Sequence, residues 1–202
     1  MCVCDVSWTI STDVCLSSDH GYTLFSAIAT LVPAVHDSTT IGIHPITGKP
    51  IGDRMMRTTI HSRLVLRAPV EVTSELIQLS GRQIEIAGAA MQIRVPTIFQ
   101  IRPSTILHSR LVTTKNGQDP SRFSNETRRQ LDQLSICSQA KVHVGRRRTV
   151  RIKQREIVGF ELVVEGLDAV ESIAIQTNGL GGRRRMGCGL FTPYNGLRKE
   201  MN

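Results

Sequence analysis

The sequence has few aromatic residues. Phe, Trp and Tyr together make up 4% of the 202 residues, with a single Trp and two Tyr. A protein that stacks many unpaired bases usually presents more aromatic rings than this. The composition therefore argues against extensive base stacking. Any nucleic acid would have to be recognised first by its backbone and shape.

Long apolar runs and organised cysteines are also missing. No stretch of roughly 18 uncharged apolar residues occurs, so we expect no membrane-spanning helix and no membrane partner. The opening residues, Met-Cys-Val-Cys-Asp, lack the basic start and apolar core of a signal peptide. The five cysteines show no zinc-ligand spacing, and Cys2 and Cys4 are too close for an ordinary bridge across a fold. We therefore expect a cytoplasmic protein with reduced thiols and no metal or other cofactor.

Positive charge is what the chain has in excess. Lys and Arg number 25 against 17 Asp and Glu, which gives a net charge of +8. The basic residues are clustered, whereas the acidic residues are spread more evenly. The first cluster comprises Arg146, Arg147, Arg148, Arg151, Lys153 and Arg155, and the second comprises Arg183, Arg184 and Arg185. Such clusters on a folded domain attract phosphates and indicate a nucleic-acid partner.

The second cluster lies in the most informative segment, residues 179–191, Gly-Leu-Gly-Gly-Arg-Arg-Arg-Met-Gly-Cys-Gly-Leu-Phe. Its glycines allow main-chain N–H groups to come close to a ligand, and its arginines offer planar cations that suit phosphate oxygens. These glycines are Gly179, Gly181, Gly182, Gly187 and Gly189, which we expect to shape and pack the loop. A Walker A loop is excluded because arginine follows Gly182. A glycine-rich hairpin with solvated charges remains the alternative, and Cys188 reads as a small buried residue.

Hydrophobic periodicity predicts the elements of the N-terminal half. We expect a strand at 3–10, a helix whose buried face carries Leu24, Ile28, Leu31 and Val35, and a short strand at 41–44. Ser17, Ser18 and Asp19 are candidate caps for that helix, and Pro33 should end or bend it. A strand at 60–68, a helix at 69–79 and a hairpin at 83–95 broken at Gly88 follow.

The C-terminal half repeats this order after Pro96. Strands are expected at 97–102 and 106–114, a helix at 122–134, a strand pair at 149–153 and 157–165, and a last helix at 167–177 before the glycine loop. Each half then has the split β-α-β order of ferredoxin-like domains. The predicted fold class is α+β: two tandem ferredoxin-like (RRM-like) domains, at 1–95 and 96–202, the second with a C-terminal glycine-rich loop.

The glycine loop in this position resembles that of the CRISPR-associated repeat-processing endoribonucleases. These form the sixth Cas family within the repeat-associated mysterious protein group. Four further segments resemble its MYXAN subtype, and the likeness spans essentially the whole chain. They are Asp-His-Gly-Tyr at 19–22, Ile-Gly-Ile-His-Pro-Ile at 41–46, Arg-Leu-Val-Thr at 110–113, and Arg-Ile-Lys-Gln-Arg-Glu-Ile-Val-Gly-Phe at 151–160.

The resemblance implies a metal-independent cut within each CRISPR repeat of a precursor transcript, yielding mature guide RNA. In that family the upstream 2′-hydroxyl attacks the scissile phosphate, leaving a 2′,3′-cyclic phosphate and a 5′-hydroxyl. The implied partners are the repeat RNA, the guide stem-loop on which such enzymes often stay, and other subunits of a type I interference complex (Cascade). Relatives of this subtype also accompany some RNA-guided transposition systems.

Such a cut needs a base near the 2′-OH, a cation for the phosphorane and a proton for the leaving oxygen. Histidine suits the acid-base role because its pKa is near neutral. His36 is the first candidate, because several relatives place a histidine after an apolar residue and before an acid, and Asp37 would bias its tautomer. His20 is the second, because other subtypes carry their histidine on the first helix. Tyr22 is a candidate hydrogen-bond donor to the phosphate.

For RNA binding the candidates are the basic residues of the two clusters and one lysine. They are Arg183, Arg184 and Arg185 first, then Lys153, Arg151, Arg146, Arg147 and Arg148, and finally Lys115. A solvated loop is the alternative interpretation of residues 146–148. A non-catalytic guide-RNA-binding subunit of the same fold is the main alternative to a nuclease, since only the histidines indicate cleavage. An RNA-binding protein of translation would also fit the charge, but would not explain the loop.

Overall fold

The protein is described from a computed structural model covering residues 2–115, 117–137, 139–153 and 155–194. Residues 195–202 of the predicted C-terminal domain and Gln154 of the 151–160 segment lie outside the described residues. The chain divides into two compact units. The first comprises Met1–Ile101, Val150–Ile157 and Arg184–Gly187, and the second comprises Arg102–Thr149, Val158–Arg183 and Cys188–Asn202. The domain boundary at 95/96 stays a prediction.

The first unit is built on a five-stranded antiparallel sheet, whose central strand buries its alternate apolar side chains on one face. The strands are β1 (Val3–Ile10), β3 (Gly42–Ile43), β6 (Arg63–Pro69), β7 (Gln83–Ile86) and β8 (Ala89–Gln100), in the order β3-β6-β1-β8-β7. Val6 and Trp8 of β1 are fully buried with Leu64 and Leu66 of β6. Helices α1 (Gly21–Leu31), α2 (Ala34–Asp37) and α3 (Thr73–Ile77) and a 3₁₀ turn (Val70–Val72) complete the chain order.

Several details of this unit differ from the sequence prediction. A three-stranded sheet of β2 (Cys15–Ser17), β4 (Lys49–Gly52) and β5 (Met55–Arg57), in the order β2-β5-β4, was not predicted, because strands this short show no alternation. The strand expected to begin at Thr97 is the second half of β8, which continues through Pro96 and pairs with β1. On the buried face of α1, Leu24 and Ile28 are buried as expected, but Leu31 is exposed.

The second unit has a four-stranded antiparallel sheet and two helices. Its elements are β9 (Ile106–Val112), α4 (Pro120–Gln133), β10 (Lys141–Ile152), β11 (Arg155–Glu165), α5 (Ala169–Asn178) and β12 (Thr192–Pro193). Asp119 caps α4 by accepting from two backbone N–H groups, and Asp168 with Glu171 forms a capping box on α5. A 3₁₀ turn, Arg184–Met186, follows α5 and belongs to the first unit.

Both sheets have the same strand order. Leaving out the edge strand β7, the sheet of the first unit has the order β3-β6-β1-β8, and the sheet of the second has the order β10-β11-β9-β12. In both, the four strands, numbered along the chain, lie in the order second, third, first, fourth. The first and third strands are central and antiparallel neighbours in each sheet. This is the arrangement of the ferredoxin-like split β-α-β motif. The predicted α+β fold is therefore observed in each unit by itself.

Candidate active site and nucleic-acid interface

Helix α1 of the first unit presents an aromatic residue, Phe25, to two of the predicted site residues. The helix forms because Leu24, Phe25 and Ile28 make one buried face, and it ends before Pro33. The chain then turns once more through α2, which buries Val35 and exposes the next residue, His36. Val35 thus fixes the short helix in the core and leaves His36 at the surface beside Phe25.

His36 has the exposure and the partners that a catalytic base requires. Its side chain is 70% exposed, and its ring stacks on Phe25 with centroids 6.1 Å apart and planes at 22°. Its Nδ1 lies 3.0 Å from Oδ1 of Asp37. An Nδ1–H that donates to a carboxylate leaves Nε2 as the basic nitrogen. His36 therefore presents an oriented proton acceptor to solvent.

Arg185 brings a permanent cation to the same aromatic ring. Its guanidinium carbon lies 5.0 Å from the centre of the Phe25 ring, and its Nη1 donates to the carbonyl of Val35 at 3.4 Å. A guanidinium over an aromatic face is held by the ring's quadrupole. The predicted base and one of the predicted phosphate ligands thus contact the same aromatic ring.

His20 has no nitrogen free for proton transfer. The residue is 2% exposed, and its Nε2 accepts a hydrogen bond from the N–H of Ile46 at 3.0 Å. Its Nδ1 therefore carries the proton and donates to the carbonyl of Ser17 at 2.7 Å. These contacts join the start of α1 to the segment after β3. They favour a structural role for His20 over the predicted catalytic one.

The predicted caps of α1 serve other purposes. His20 occupies the N-cap position and makes no side-chain cap, so the assignment of Ser17, Ser18 or Asp19 as the cap is wrong. Asp19 instead accepts from Arg54 at 2.7 and 2.8 Å and from the N–H of Arg151 at 3.0 Å. The pKa of Asp19 is lowered: burial opposes the shift, but the bonds from Arg54 and Arg151 outweigh it.

Lys153 lies against Tyr22, the third predicted catalytic residue. The lysine Nζ is 5.3 Å from the centre of the Tyr22 ring, at the first turn of α1. Tyr22 is half-buried, one helical turn before Phe25. The first unit therefore places Lys153 and Arg185 against successive aromatic residues of α1. This arrangement supplies two cations along the face that leads to His36.

The three consecutive arginines have three different environments. Arg183 is exposed, belongs to the second unit and lies 3.5 Å from Oγ1 of Thr113. Arg185 lies over Phe25, as described. Arg184 is directed into the first unit, where its Nε and Nη1 atoms are buried. Burial and the charge of Arg67 lower the pKa of Arg184 to about 10. The prediction treated the three as equivalent, and the fold does not.

Arg184 belongs to a buried charge cluster on the sheet of the first unit. Arg67, which is 1% exposed, donates two hydrogen bonds of 2.8 Å to Asp5, directly opposite it in the β1–β6 register. Nε2 of His44 lies 3.9 Å from Asp5. Burial, with a smaller contribution from Arg67, lowers the pKa of His44 to about 4, so this histidine is neutral at neutral pH.

Two glycines allow the 184–186 turn to lie close against the first unit. A Cβ on Gly21 would stand 2.3 Å from the carbonyl oxygen of Met186, so only glycine fits at the start of α1. Gly187 has φ +85, and a Cβ there would meet Pro45 at 2.7 Å. The turn is therefore held between α1 and the segment after β3, and this contact aims Arg185 at Phe25.

In the second unit, the remaining predicted RNA-binding residues lie on or beside the sheet. Residues 146–148 lie within β10, so the alternative of a solvated loop is wrong. Arg148 lies 3.4 Å from Glu161, which is buried and also bonds to His108 at 2.7 Å. Arg146, Arg147 and Lys115 are exposed.

The other loop glycines pack within the second unit. A Cβ on Gly181 would stand 2.4 Å from the carbonyl of Thr113, and one on Gly189 would stand 2.0 Å from the carbonyl of Leu180. Gly179 ends α5 with φ 67, whereas a Cβ added to Gly182 would meet nothing within 4 Å. Burial raises the pKa of the Cys188 thiol to about 11, consistent with a small buried residue.

Sequence reasoning missed the residues that organise the site. Phe25, Asp5, Arg67 and Arg54 had no motif to mark them, and Phe25 read only as part of a helix. Within the described residues no group of three or more His, Cys, Asp or Glu could hold a metal ion. No helix in the described part of the chain is long and apolar enough to cross a membrane.

Comparison with known proteins gives consistent matches. The family described as Cas6 Crispr matches residues 4–196. A CRISPR-associated endonuclease Cas6 of Myxococcus xanthus (strain DK1622) is 38% identical over 175 residues, which cover 87% of this chain and 75% of that protein.

Solved structures are similar in fold at low sequence identity. A Cas6-related protein from Pyrococcus furiosus has a TM-score of 0.69 at 11% identity, covering 96% of this chain and 99% of the other. Thermus thermophilus Cse3, bound to an RNA representing a pre-cleavage complex, has a TM-score of 0.52 at 14% identity, covering 95% and 98%. These likenesses confirm the predicted fold of two ferredoxin-like domains.

Proposed function

The chain belongs to the Cas6 family, and from that membership we propose that it cuts CRISPR repeat RNA in precursor transcripts to release guide RNA. The observation that carries this proposal is the grouping of His36, Asp37 and Arg185 around Phe25. It joins an oriented base to a permanent cation at one exposed place in the first unit. The relative from Myxococcus xanthus is named an endonuclease, which agrees with this assignment.

In the proposed reaction, Nε2 of His36 removes the proton from a 2′-hydroxyl. The 2′-oxygen attacks the adjacent phosphorus, and the bond from phosphorus to the 5′-oxygen breaks. The imidazolium formed in the first step returns the proton to the leaving 5′-oxygen. The products are a 2′,3′-cyclic phosphate and a 5′-hydroxyl, so atoms and protons balance with one histidine.

Charge stabilisation falls to Arg185 in this proposal. Its guanidinium and the imidazole of His36 both contact the ring of Phe25, and a planar cation suits the oxygens of the phosphorane. We propose that the reaction needs no metal ion, because a fixed guanidinium supplies the positive charge. Tyr22 and Lys153, one helical turn away, would position the neighbouring nucleotide.

The finer partners are also part of the proposal. Exposed basic residues on both units would hold the phosphates of the repeat stem: Arg183, Arg146, Arg147, Lys115 and Arg151. The product stem-loop would remain bound, and the complex would join other subunits of a type I interference complex. Arg184 is not included among these phosphate ligands because its Nε and Nη1 are buried.

A non-catalytic guide-RNA clamp of the same fold is the second candidate. Both ring nitrogens of His20 are engaged in hydrogen bonds, so His20 does not supply a second acid-base group. If cleavage required two histidines, this observation would favour the clamp. Cleavage would then be absent, while binding of the stem-loop would persist.

The test is cleavage of a repeat stem-loop RNA by the purified full chain in EDTA. We expect His36→Ala to reduce the cleavage rate by about 10²- to 10⁴-fold, the usual contribution of a general acid-base group, with affinity unchanged. A substrate with a 2′-deoxy nucleotide before the cut should not be cleaved. Cleavage by His36→Ala at the normal rate would refute the site assignment.

His61→Ala is the matched control. His61 is an exposed histidine of the same unit with no predicted role, and its loss should leave the rate unchanged. Tight binding of intact RNA by the unmodified protein, without any cleavage, would support the clamp instead.

A further inference from the structure

The first unit contains a second cationic place, away from the 184–186 turn. A cleft of about 590 Å³ lies beside the three-stranded sheet, with Lys49 and Arg57 at its wall. These two residues are direct cross-strand partners between β4 and β5. Like charges placed opposite each other destabilise a sheet, so a protein that has such a pair needs another reason for it.

In the part of the chain that the structure describes, the side chains of Lys49 and Arg57 make no ion pair or hydrogen bond. Among the described residues that line the cleft, Asp13 is the one acidic residue, which leaves an excess of positive charge. This contrasts with Arg54 at the β4–β5 turn, whose guanidinium is held by Asp19. The cleft is therefore electrostatically suited to an anion.

The remaining walls suit an organic group more than an isolated ion. Ile51 and Ile60 also line the cleft and are 45% and 73% exposed. The floor is rigid, because buried Thr58 accepts from the N–H of Val14 at 2.9 Å and donates to the carbonyl of Ser11 at 2.9 Å. Apolar surface beside two cations matches the two faces of a nucleotide, its base and its phosphate.

We propose that this cleft is a second RNA subsite, which binds unpaired nucleotides adjoining the stem-loop. The inference rests on the proposed function, since the RNA is the same transcript. Lys49 and Arg57 bind successive phosphates, while Ile51 and Ile60 pack against a base. The volume lies within the range of small-ligand pockets and accommodates about one or two nucleotides.

Binding of RNAs of two lengths distinguishes the contribution of this subsite from that of the catalytic site. RNA affinity is measured by fluorescence anisotropy in the His36→Ala background, which keeps the RNA intact. One RNA is the stem-loop alone, and two others carry about ten unpaired nucleotides on its 5′ or its 3′ side. We expect Lys49→Glu with Arg57→Glu to weaken binding of one extended RNA by about tenfold or more, with the stem-loop alone unchanged within about twofold.

Salt dependence gives a second measurement of the same contacts. Loss of two phosphate contacts should reduce the salt slope for the extended RNA by about 1.4, at about 0.7 per single-strand contact. The control is Arg82→Glu with Arg94→Glu, two exposed cations of the same unit, which make the same change in net charge. That control should affect all three RNAs equally.

Lys49→Glu alone distinguishes binding from folding. It places a carboxylate opposite Arg57 instead of a second cation, so the free energy of unfolding should be unchanged or higher. Affinity for the extended RNA should fall nevertheless. A parallel loss of stability and affinity would overturn the proposal.

Equal losses for the stem-loop and both extended RNAs, or no loss at all, would also overturn the subsite. If the unmodified protein binds no stem-loop, the proposed function fails and the subsite fails with it. If the stem-loop binds normally and its extension adds nothing, the subsite alone is wrong.

Discussion

Asp5 should be among the most important single residues for the stability of the first unit. Its carboxylate is the partner of Arg67, which it holds by two hydrogen bonds of 2.8 Å. Arg184 lies close enough for the charge of Arg67 to lower its pKa and for Asp5 to oppose that shift. Asp5→Ala would therefore leave two buried guanidinium groups facing each other without this carboxylate.

The magnitude follows from the burial of these groups. Removing one partner of a buried ion pair costs about 3–5 kcal/mol, because the other charge is left uncompensated. Asp5 is itself 21% exposed at its side chain, so water can enter, and we expect a loss near the lower limit, about 3 kcal/mol. This is a large part of the roughly 5–15 kcal/mol that stabilises a typical domain.

Urea unfolding followed by Trp8 fluorescence measures this loss in the right place. Trp8 is fully buried on β1, the strand that carries Asp5. The control is Glu85→Ala, which removes an exposed carboxylate from β7 of the same sheet and should change stability by less than about 0.5 kcal/mol. Asp5→Leu with Arg67→Met should recover part of the loss, because it removes the charge of Arg67 together with its repulsion of Arg184.

A loss below about 1 kcal/mol for Asp5→Ala would refute the reasoning, since the pair would then behave as an exposed one. The stability loss should be accompanied by weaker RNA binding, because the 184–186 turn is anchored at this cluster. Normal affinity in a destabilised Asp5→Ala protein would show that Arg184 does not position Arg185.

Three further substitution experiments test other parts of the structure. The pKa of His44 is lowered from 6.5 to about 4, so His44 takes up a proton more readily in the unfolded chain. The free energy of unfolding should therefore fall by about 3 kcal/mol as the pH is lowered from 6.5 to 4. Urea unfolding of His44→Gln should lack this pH dependence. Gly21→Ala should displace the Met186 carbonyl and lower both melting temperature and RNA affinity. The control is Gly88→Ala, where an added Cβ would meet no atom within 4 Å but φ is +85; it should lower the melting temperature and leave RNA affinity unchanged. Arg183→Glu should weaken RNA binding and flatten its salt dependence without loss of stability, whereas Arg184→Glu should reduce both RNA affinity and stability. Equal stability of the two variants would contradict the buried position of Arg184.

Local hydrophobic patterns were sufficient to predict a strand or helix that buries one face against the core. The alternation of Val6, Trp8 and Ile10 predicted β1 at its observed bounds, because side chains of a strand point alternately to two sides. The spacing of Leu24 and Ile28 predicted α1, and Pro33 predicted its end. Charge, glycine content and motif resemblance indicated the family, which the Cas6 match confirms.

Local patterns failed where the decisive partner lies far away in the chain. Asp19 looked like a helix cap, because a short acceptor before a helix usually is one, yet its partners are Arg54 and Arg151. The strands β2, β4 and β5 were missed, since three or four residues carry no periodicity. The assignment of His36 as the base remains a prediction, to which the structure adds the Phe25 contact.

Local sequence accounts for most of the element types, the repeated ferredoxin-like order and the basic, glycine-rich character of the C-terminal segment. These properties depend on the periodicity and composition of neighbouring residues. The three-dimensional fold gives three adjacent arginines different environments and engages both nitrogens of His20 in hydrogen bonds. It also places Lys49 opposite Arg57, with no acidic partner for either side chain among the described residues. Burial and electrostatic pairing depend on which distant residues the fold brings together, and a linear pattern does not contain that information.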